Sequence, residues 1–214
     1  MSRELPRGLY VITTAPHDSV AALCATVALT LDGGARTVQY RDKSFDTERR
    51  MREAQSLVEL CRARGAVMIV NDDIELAAAT GAEGVHLGED DAPIGDARAV
   101  LGPTALIGVS CYDSLDRAER ACAEGADYVA FGSFFPSVTK PDARRADPEL
   151  LRRACTRIDA PIVAIGGITP ANGATLIAAG AHALAVVSGV FAQPDVRAAA
   201  RAYAALFEQR SCAG

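Results

Sequence analysis

The chain has 214 residues, half of them hydrophobic but only 5% aromatic, with no tryptophan and a formal net charge of −5. That length suits one large core better than two domains. The acidic balance excludes non-specific nucleic-acid binding, which needs a basic face, and the scarcity of aromatics argues against a base-stacking platform.

The chain opens with Met1-Ser2-Arg3-Glu4-Leu5-Pro6, which lacks the apolar core of a signal peptide. A cytoplasmic location away from membranes is therefore expected. The first strand is predicted at Gly8–Thr13 and the first helix at Ser19–Leu31. The second strand, Thr37–Lys43, holds Val38-Gln39-Tyr40-Arg41-Asp42-Lys43, where a period of two puts Gln39, Arg41 and Lys43 on one face. Two cations two residues apart can clamp a diphosphate, Arg41 by its bidentate fork and Lys43 as a point charge. Solvation at a strand end is the competing reading.

A helix over Thr47–Arg64 leads to the third strand, Val67–Asp72, and then a helix over Ile74–Thr80. Asp72-x-x-Glu75 reads as a capping box for that helix, so Asp72 is both a candidate cap and a candidate metal ligand. The fourth strand, Gly84–Gly88, runs into Glu89-Asp90-Asp91. Acids at the ends of two strands suit Mg²⁺, which commonly takes one or two carboxylates and fills its octahedron with phosphate and water. Asp91 thus tips Asp72 toward the metal. His86, inside the strand, reads as a hydrogen-bonded core histidine, and neither it nor any cysteine has zinc spacing with these acids.

Asp96–Leu101 offers a short helix before the fifth strand, Leu106–Cys111, and the helix Ser114–Ala123. The sixth strand, Tyr128–Gly132, leaves through Ser133-Phe134-Phe135-Pro136-Ser137-Val138-Thr139-Lys140-Pro141, whose hydroxyls and lysine suit phosphate oxygens. A helix at Pro148–Arg157, a strand at Pro161–Gly167, a helix at Pro170–Ala179, a strand at Ala183–Gly189 and a helix at Asp195–Glu208 complete the chain. From Ala160 to Pro194 no residue carries a formal charge, which superficially suggests a membrane span. Pro161, Gly166-Gly167, Pro170, Asn172-Gly173 and Gly180 cut that stretch into strand, helix and strand.

Eight alternating strand–helix units predict an α/β fold with a parallel sheet closed as a (β/α)₈ TIM barrel, a single domain over 1–214 with loose tails at 1–7 and 209–214. An open doubly-wound sheet is the alternative, but no G-x-G-x-x-G follows the first strand. In a barrel the site lies at the C-terminal ends of the strands, and loops seven and eight often hold a phosphate, so Gly166-Gly167 and Val187-Ser188-Gly189 become anion candidates. The six cysteines (Cys24, Cys61, Cys111, Cys122, Cys155, Cys212) form no C-x-x-C pair and read mostly as small buried hydrophobes. Cys111, at a strand end, is weighed as a nucleophile but has no activating base in view.

Taken in order, Gln39-Tyr40-Arg41-Asp42-Lys43, Val70-Asn71-Asp72-Asp73, Gly84-Val85-His86-Leu87-Gly88 with Asp91, Gly108-Val109-Ser110, Ser137-Val138-Thr139-Lys140, Ala164-Ile165-Gly166-Gly167-Ile168-Thr169 and Val187-Ser188 resemble the thiamine-phosphate synthase family. The resemblance implies a transferase of thiamine biosynthesis that joins hydroxymethylpyrimidine diphosphate to a thiazole phosphate and releases pyrophosphate. It implies that Gln39, Tyr40, Arg41, Asp42, Lys43, Asn71, Ser110 and Lys140 hold the pyrimidine diphosphate, with Arg41, Lys43, Ser110 and Lys140 as the catalytic set. Asp72 and Asp91 would bind Mg²⁺. Ser137, Val138, Thr139, Gly167, Val187 and Ser188 would hold the thiazole phosphate. The partners implied are these small molecules, while the sequence leaves the oligomeric state open, a homodimer included. Ser137 stands where the family usually carries Thr, and Tyr112 where His is frequent. A thiazole tautomerase relative would lack the metal-binding acids, a non-catalytic phosphate-binding paralogue could dispense with the leaving-group cations, and a phosphosugar epimerase would want acid/base residues at the strand ends.

Overall fold

The computed structural model describes residues 4–14, 16–136 and 145–208. Eight strands, β1 (Gly8–Ile12), β2 (Ala35–Tyr40), β3 (Val67–Asn71), β4 (Gly84–Leu87), β5 (Leu106–Tyr112), β6 (Tyr128–Phe131), β7 (Ile162–Ile165) and β8 (Ala183–Val186), form a closed barrel in sequence order. Each strand pairs in parallel with its neighbours, and β8 pairs back onto β1. Around them lie α1 (Val20–Asp32), α2 (Thr47–Ala63), α3 (Ile74–Thr80), α4 (Ile94–Leu101), α5 (Leu115–Ala123), α6 (Pro148–Cys155), α7 (Gly173–Ala178), α8 (Ser188–Phe191) and α9 (Val196–Glu208). The predicted TIM barrel is the observed fold, and the uncharged stretch resolves into β7, α7, β8 and α8. No helix among the described residues is long and apolar enough to cross a membrane.

Strand alternation separates two cores. Leu9 and Val11 face outward into the large shell between barrel and helices, while Tyr10 and Ile12 face inward with Tyr128, Ala130, Val163, Ala183 and Ala185. Leu5 is buried with this inner set, and its carbonyl oxygen lies 2.9 Å from His182 Nε2. The expected loose tail at 1–7 is therefore corrected from residue 5 onward: an apolar side chain closes the barrel floor.

Local chemistry sets the helix starts. Ser19, Asp46, Ser114 and Asp147 each accept a backbone N–H of the following helix. At α3 the cap is Asp73, whose side chain accepts from Leu76 N at 2.9 Å. The cap predicted at Asp72 thus falls one residue later, as a single side-chain cap. Two further differences bear on the site. β2 ends at Tyr40, so Arg41, Asp42 and Lys43 lie in the loop beyond it, and the one-turn α8 replaces the expected end of the eighth strand.

Candidate active site

The C-terminal ends of the strands open onto a cavity of about 990 Å³. Its walls come from every strand end around the ring, including Thr13, Arg41, Asn71, Glu89, Tyr112, Gly132, Gly166 and Ser188. This is where a parallel barrel exposes variable loops on a rigid frame.

Beside this mouth Asp72 and Asp91 come together. Asp72 holds φ of +66°, in the left-handed region, and its Oδ2 pairs with Lys43 Nζ at 2.8 Å. Asp91 turns back so that its Oδ2 accepts from Gly88 N at 2.5 Å. Burial pushes the Asp91 carboxyl up from its ordinary range, and the adjacent Asp72 carboxyl adds to the rise. Two adjacent carboxylates at the cavity mouth are an oxygen donor set suited to a hard divalent ion. The residues present therefore fit Mg²⁺, with protein supplying two carboxylates and leaving the other positions to water and substrate. No larger cluster of metal-binding side chains occurs among the described residues.

The loop carrying Arg41 and Lys43 is held from behind. Arg49 on α2 reaches Asp42 at 2.7 Å, Ser44 Oγ at 2.8 Å and Glu53 at 3.2 Å. Glu53 is 1% exposed and also accepts from Tyr40 Oη at 2.6 Å. Burial opposes ionisation of Asp42, yet hydrogen bonds from Ser44 and the Arg49 guanidinium hold its carboxyl below its ordinary value. Tyr40 and Asp42 thus face helix α2 and brace the loop, whereas Gln39 and Arg41 line the cavity.

Inside the barrel Gln39 Nε2 donates to Tyr10 Oη at 2.9 Å, and Tyr10 Oη lies 3.0 Å from Tyr128 Oη. His86 bridges Tyr128 Oη, 3.1 Å from Nδ1, and Ser110 Oγ, 2.9 Å from Nε2. Burial pushes the imidazole down to about 4, against a weaker opposing pull from Asp91, so His86 is neutral at ordinary pH. His86 is the hydrogen-bonded histidine expected from its place in a strand. Tyr10 and Tyr128 were not singled out by sequence; inward register in strands one and six is the signal that finds them.

Arg117 on α5 was also missed. Its Nε donates to the Ser110 carbonyl at 2.8 Å and its Nη2 to the Gly88 carbonyl at 3.2 Å, tying the ends of β4 and β5. Its guanidinium lies 6.0 Å from the ring centroid of Tyr112, itself at φ +54° and lining the cavity. Cys111 is fully buried, and burial pushes its thiol up to about 12, which makes it packing and not a nucleophile.

Across the mouth, Gly166 (φ +102°) and Gly167 (φ +63°) leave β7 in conformations that disfavour side chains. A Cβ on Gly167 would also collide with the Phe135 and Pro136 carbonyls. The Gly-Gly pair therefore has a packing reason of its own. Val187 and Ser188 flank the start of α8 and line the cavity with Gly167. Ser137, Val138, Thr139 and Lys140 lie outside the described residues.

Residues 9–190 match the family described as thiamine monophosphate synthase. A Thiobacillus denitrificans protein named thiamine-phosphate synthase is 55% identical over 205 residues, covering 96% of this chain and 97% of that one. A thiamine-phosphate synthase of Thioalkalivibrio sulfidiphilus is 52% identical, with the same 96% and 97% covered. Among solved structures, thiamine phosphate pyrophosphorylase from Pyrococcus furiosus superposes with a TM-score of 0.85 at 35% identity, over 94% of this chain and 96% of that chain.

Proposed function

The chain belongs to the thiamine monophosphate synthase family, and from that premise we propose that it couples hydroxymethylpyrimidine diphosphate to a thiazole phosphate, giving thiamine phosphate and pyrophosphate in the cytoplasm. The observation that carries the reading is the Asp72–Asp91 pair set against Lys43 beside a cavity lined by Arg41. Asp72 and Asp91 would hold Mg²⁺, which would supply positive charge to the diphosphate. Arg41 and Lys43 neutralise the charge that grows on the leaving group as the C–O bond breaks, and Lys140 joins them by its place in the family motif. The route is dissociative: a pyrimidine methylene cation forms and the thiazole nitrogen captures it. Such a reaction asks for orientation and electrostatics, not a general base. Asn71, Ser110 and Gln39 orient the pyrimidine from the barrel interior. Gly167, Val187 and Ser188, with Ser137, Val138 and Thr139 by motif, receive the thiazole phosphate.

The paired acids favour this reading over a tautomerase, an epimerase or a binding paralogue, none of which needs a metal at a leaving diphosphate. The test mixes both substrates with and without Mg²⁺ and follows both products. Equimolar thiamine phosphate and pyrophosphate, abolished by chelation, are expected. Pyrophosphate without thiamine phosphate, or no product at all, would overturn the assignment.

A further inference from the structure

Four buried side chains from four different strands form one unbroken run: Gln39 Nε2 to Tyr10 Oη, Tyr10 Oη to Tyr128 Oη, and Tyr128 Oη to His86 Nδ1. They are 3%, 1%, 0% and 8% exposed where they line the cavity, so their polar atoms pair chiefly with one another. Buried O–H and N–H donors almost always have acceptors, because leaving one unpaired forfeits its solvation. One amide hydrogen of Gln39 and the hydroxyl hydrogens of Tyr10 and Tyr128 are the three hydrogens for these three contacts, the second amide hydrogen lying outside the run. A hydrogen on His86 Nδ1 would be a fourth and would strand a buried donor. The same count excludes the imidazolium. The hydrogen of His86 therefore sits on Nε2, which points at Ser110 Oγ at 2.9 Å.

We infer that the run Gln39–Tyr10–Tyr128–His86 is a positioning device that makes Ser110 a hydrogen-bond donor to the substrate, so that the group recognised at the end of β5 is an unprotonated ring nitrogen of the pyrimidine and not its amino group. With His86 Nε2–H donating to Oγ, the hydroxyl hydrogen of Ser110 is left for the occupant of the cavity that Ser110 lines. The inference rests on the pyrimidine reading proposed above, but its polarity is set by the direction of the Gln39 amide, whose Nε2 donates to Tyr10 Oη. One amide decides it. With Gln39 turned over, Oε1 would face Tyr10, every bond would reverse, His86 would carry its hydrogen on Nδ1, and Ser110 could only accept from substrate.

The deciding measurement is long-range ¹H–¹⁵N correlation on the full chain labelled at histidine, with the His86 signal assigned by His86→Gln. His182 is an internal reference, because its Nε2 lies 2.9 Å from the Leu5 carbonyl oxygen and must carry the hydrogen. His86 is expected to show the same Nε2–H pattern near neutral pH. An Nδ1–H or imidazolium pattern would overturn the inference. Tyr128→Phe then cuts the run while keeping the ring that packs over Gly108, where a Cβ would collide with it. In that variant the His86 tautomers should mix, and KM for the pyrimidine diphosphate should rise about five- to tenfold, the loss of roughly one net hydrogen bond. KM for the thiazole phosphate should stay at its parental value. A single Nε2–H signal together with parental KM for both substrates would mean that the run is packing only, which refutes it. Tyr10→Phe breaks the same run at the next contact and replaces Tyr128→Phe if that variant does not fold. The tautomer needs no substrate, so failure of the synthase reading would appear separately, as absence of thiamine phosphate from the parent protein.

Discussion

Asp72 sits where a side chain is least comfortable, at φ +66°, with its carboxylate between Lys43 and Asp91. Asp and Asn tolerate the left-handed region better than other residues, so Asp72→Asn keeps the backbone while removing the charge. Because Asp73 carries the cap of α3, that substitution does not unravel the helix. Asp91 supplies a sharper test. Its folded-state pKa is raised, so its ionisation at neutral pH works against the fold; that penalty is absent at acid pH and grows as pH rises through the raised value. Without metal, Asp91→Asn should therefore melt at or above the parent temperature at neutral pH. Adding MgCl₂ should raise Tm of the parent and leave both Asp72→Asn and Asp91→Asn unmoved, while turnover in both falls sharply. A Mg²⁺-dependent rise in Tm that survives in either variant would remove that acid from the metal site.

The loop between β2 and α2 shows how an element governs its neighbours. Arg49 satisfies Asp42 and Glu53, both nearly buried, and so fixes the stretch that presents Arg41 and Lys43. Arg49→Met would leave two buried carboxylates without their cation, a loss of about 3–5 kcal/mol for a broken buried pair. Urea unfolding should show that drop, and KM for the pyrimidine diphosphate should rise with it; adding Asp42→Asn should restore part of the stability, since the two changes are coupled. An unchanged unfolding midpoint in Arg49→Met would show the network to be ornamental. This network also marks where sequence reading ran out. All eight strands and most helices were legible because apolar runs bounded by Gly, Pro, Asn and Asp carry their own period and punctuation. The partner of Asp42 was not, because a contact between a loop and a helix face depends on tertiary packing. Extending the period-two rule through Lys43 put Arg41 and Lys43 in a strand, whereas the structure ends β2 at Tyr40. α8 escaped notice because four residues are too few to show a helical period.

At the scale of the whole molecule, the barrel divides its mouth. Arg41, Lys43, Asn71, Asp72, Asp91 and Ser110 come from the β2–β5 arc, and Gly167, Val187 and Ser188 from β7 and β8. Ring closure in sequence order is what brings positions so far apart in the chain to one cavity, and this is why strand ends could be ranked from sequence while their distances could not. The division predicts that the two phosphate-bearing substrates lose affinity independently. Gly167→Val is a poor probe of this, since φ +63° and the Phe135 and Pro136 carbonyls would force the loop after β6 to move as well. Ser188→Ala is better: the residue is exposed at the start of α8, and alanine keeps the backbone N–H groups of that turn. A neutral hydroxyl given to a phosphate oxygen is a charge-assisted bond of about 1.5–3 kcal/mol, so the thiazole phosphate should bind about tenfold or more weakly. The pyrimidine diphosphate with Mg²⁺ should titrate as in the parent. Arg41→Ala should invert the pattern, weakening the diphosphate and sparing the monophosphate. Calorimetric titration of each ligand alone into each variant separates these outcomes. If either substitution weakened both ligands equally, a single merged anion site would serve both substrates, and the division of the mouth would fall with it.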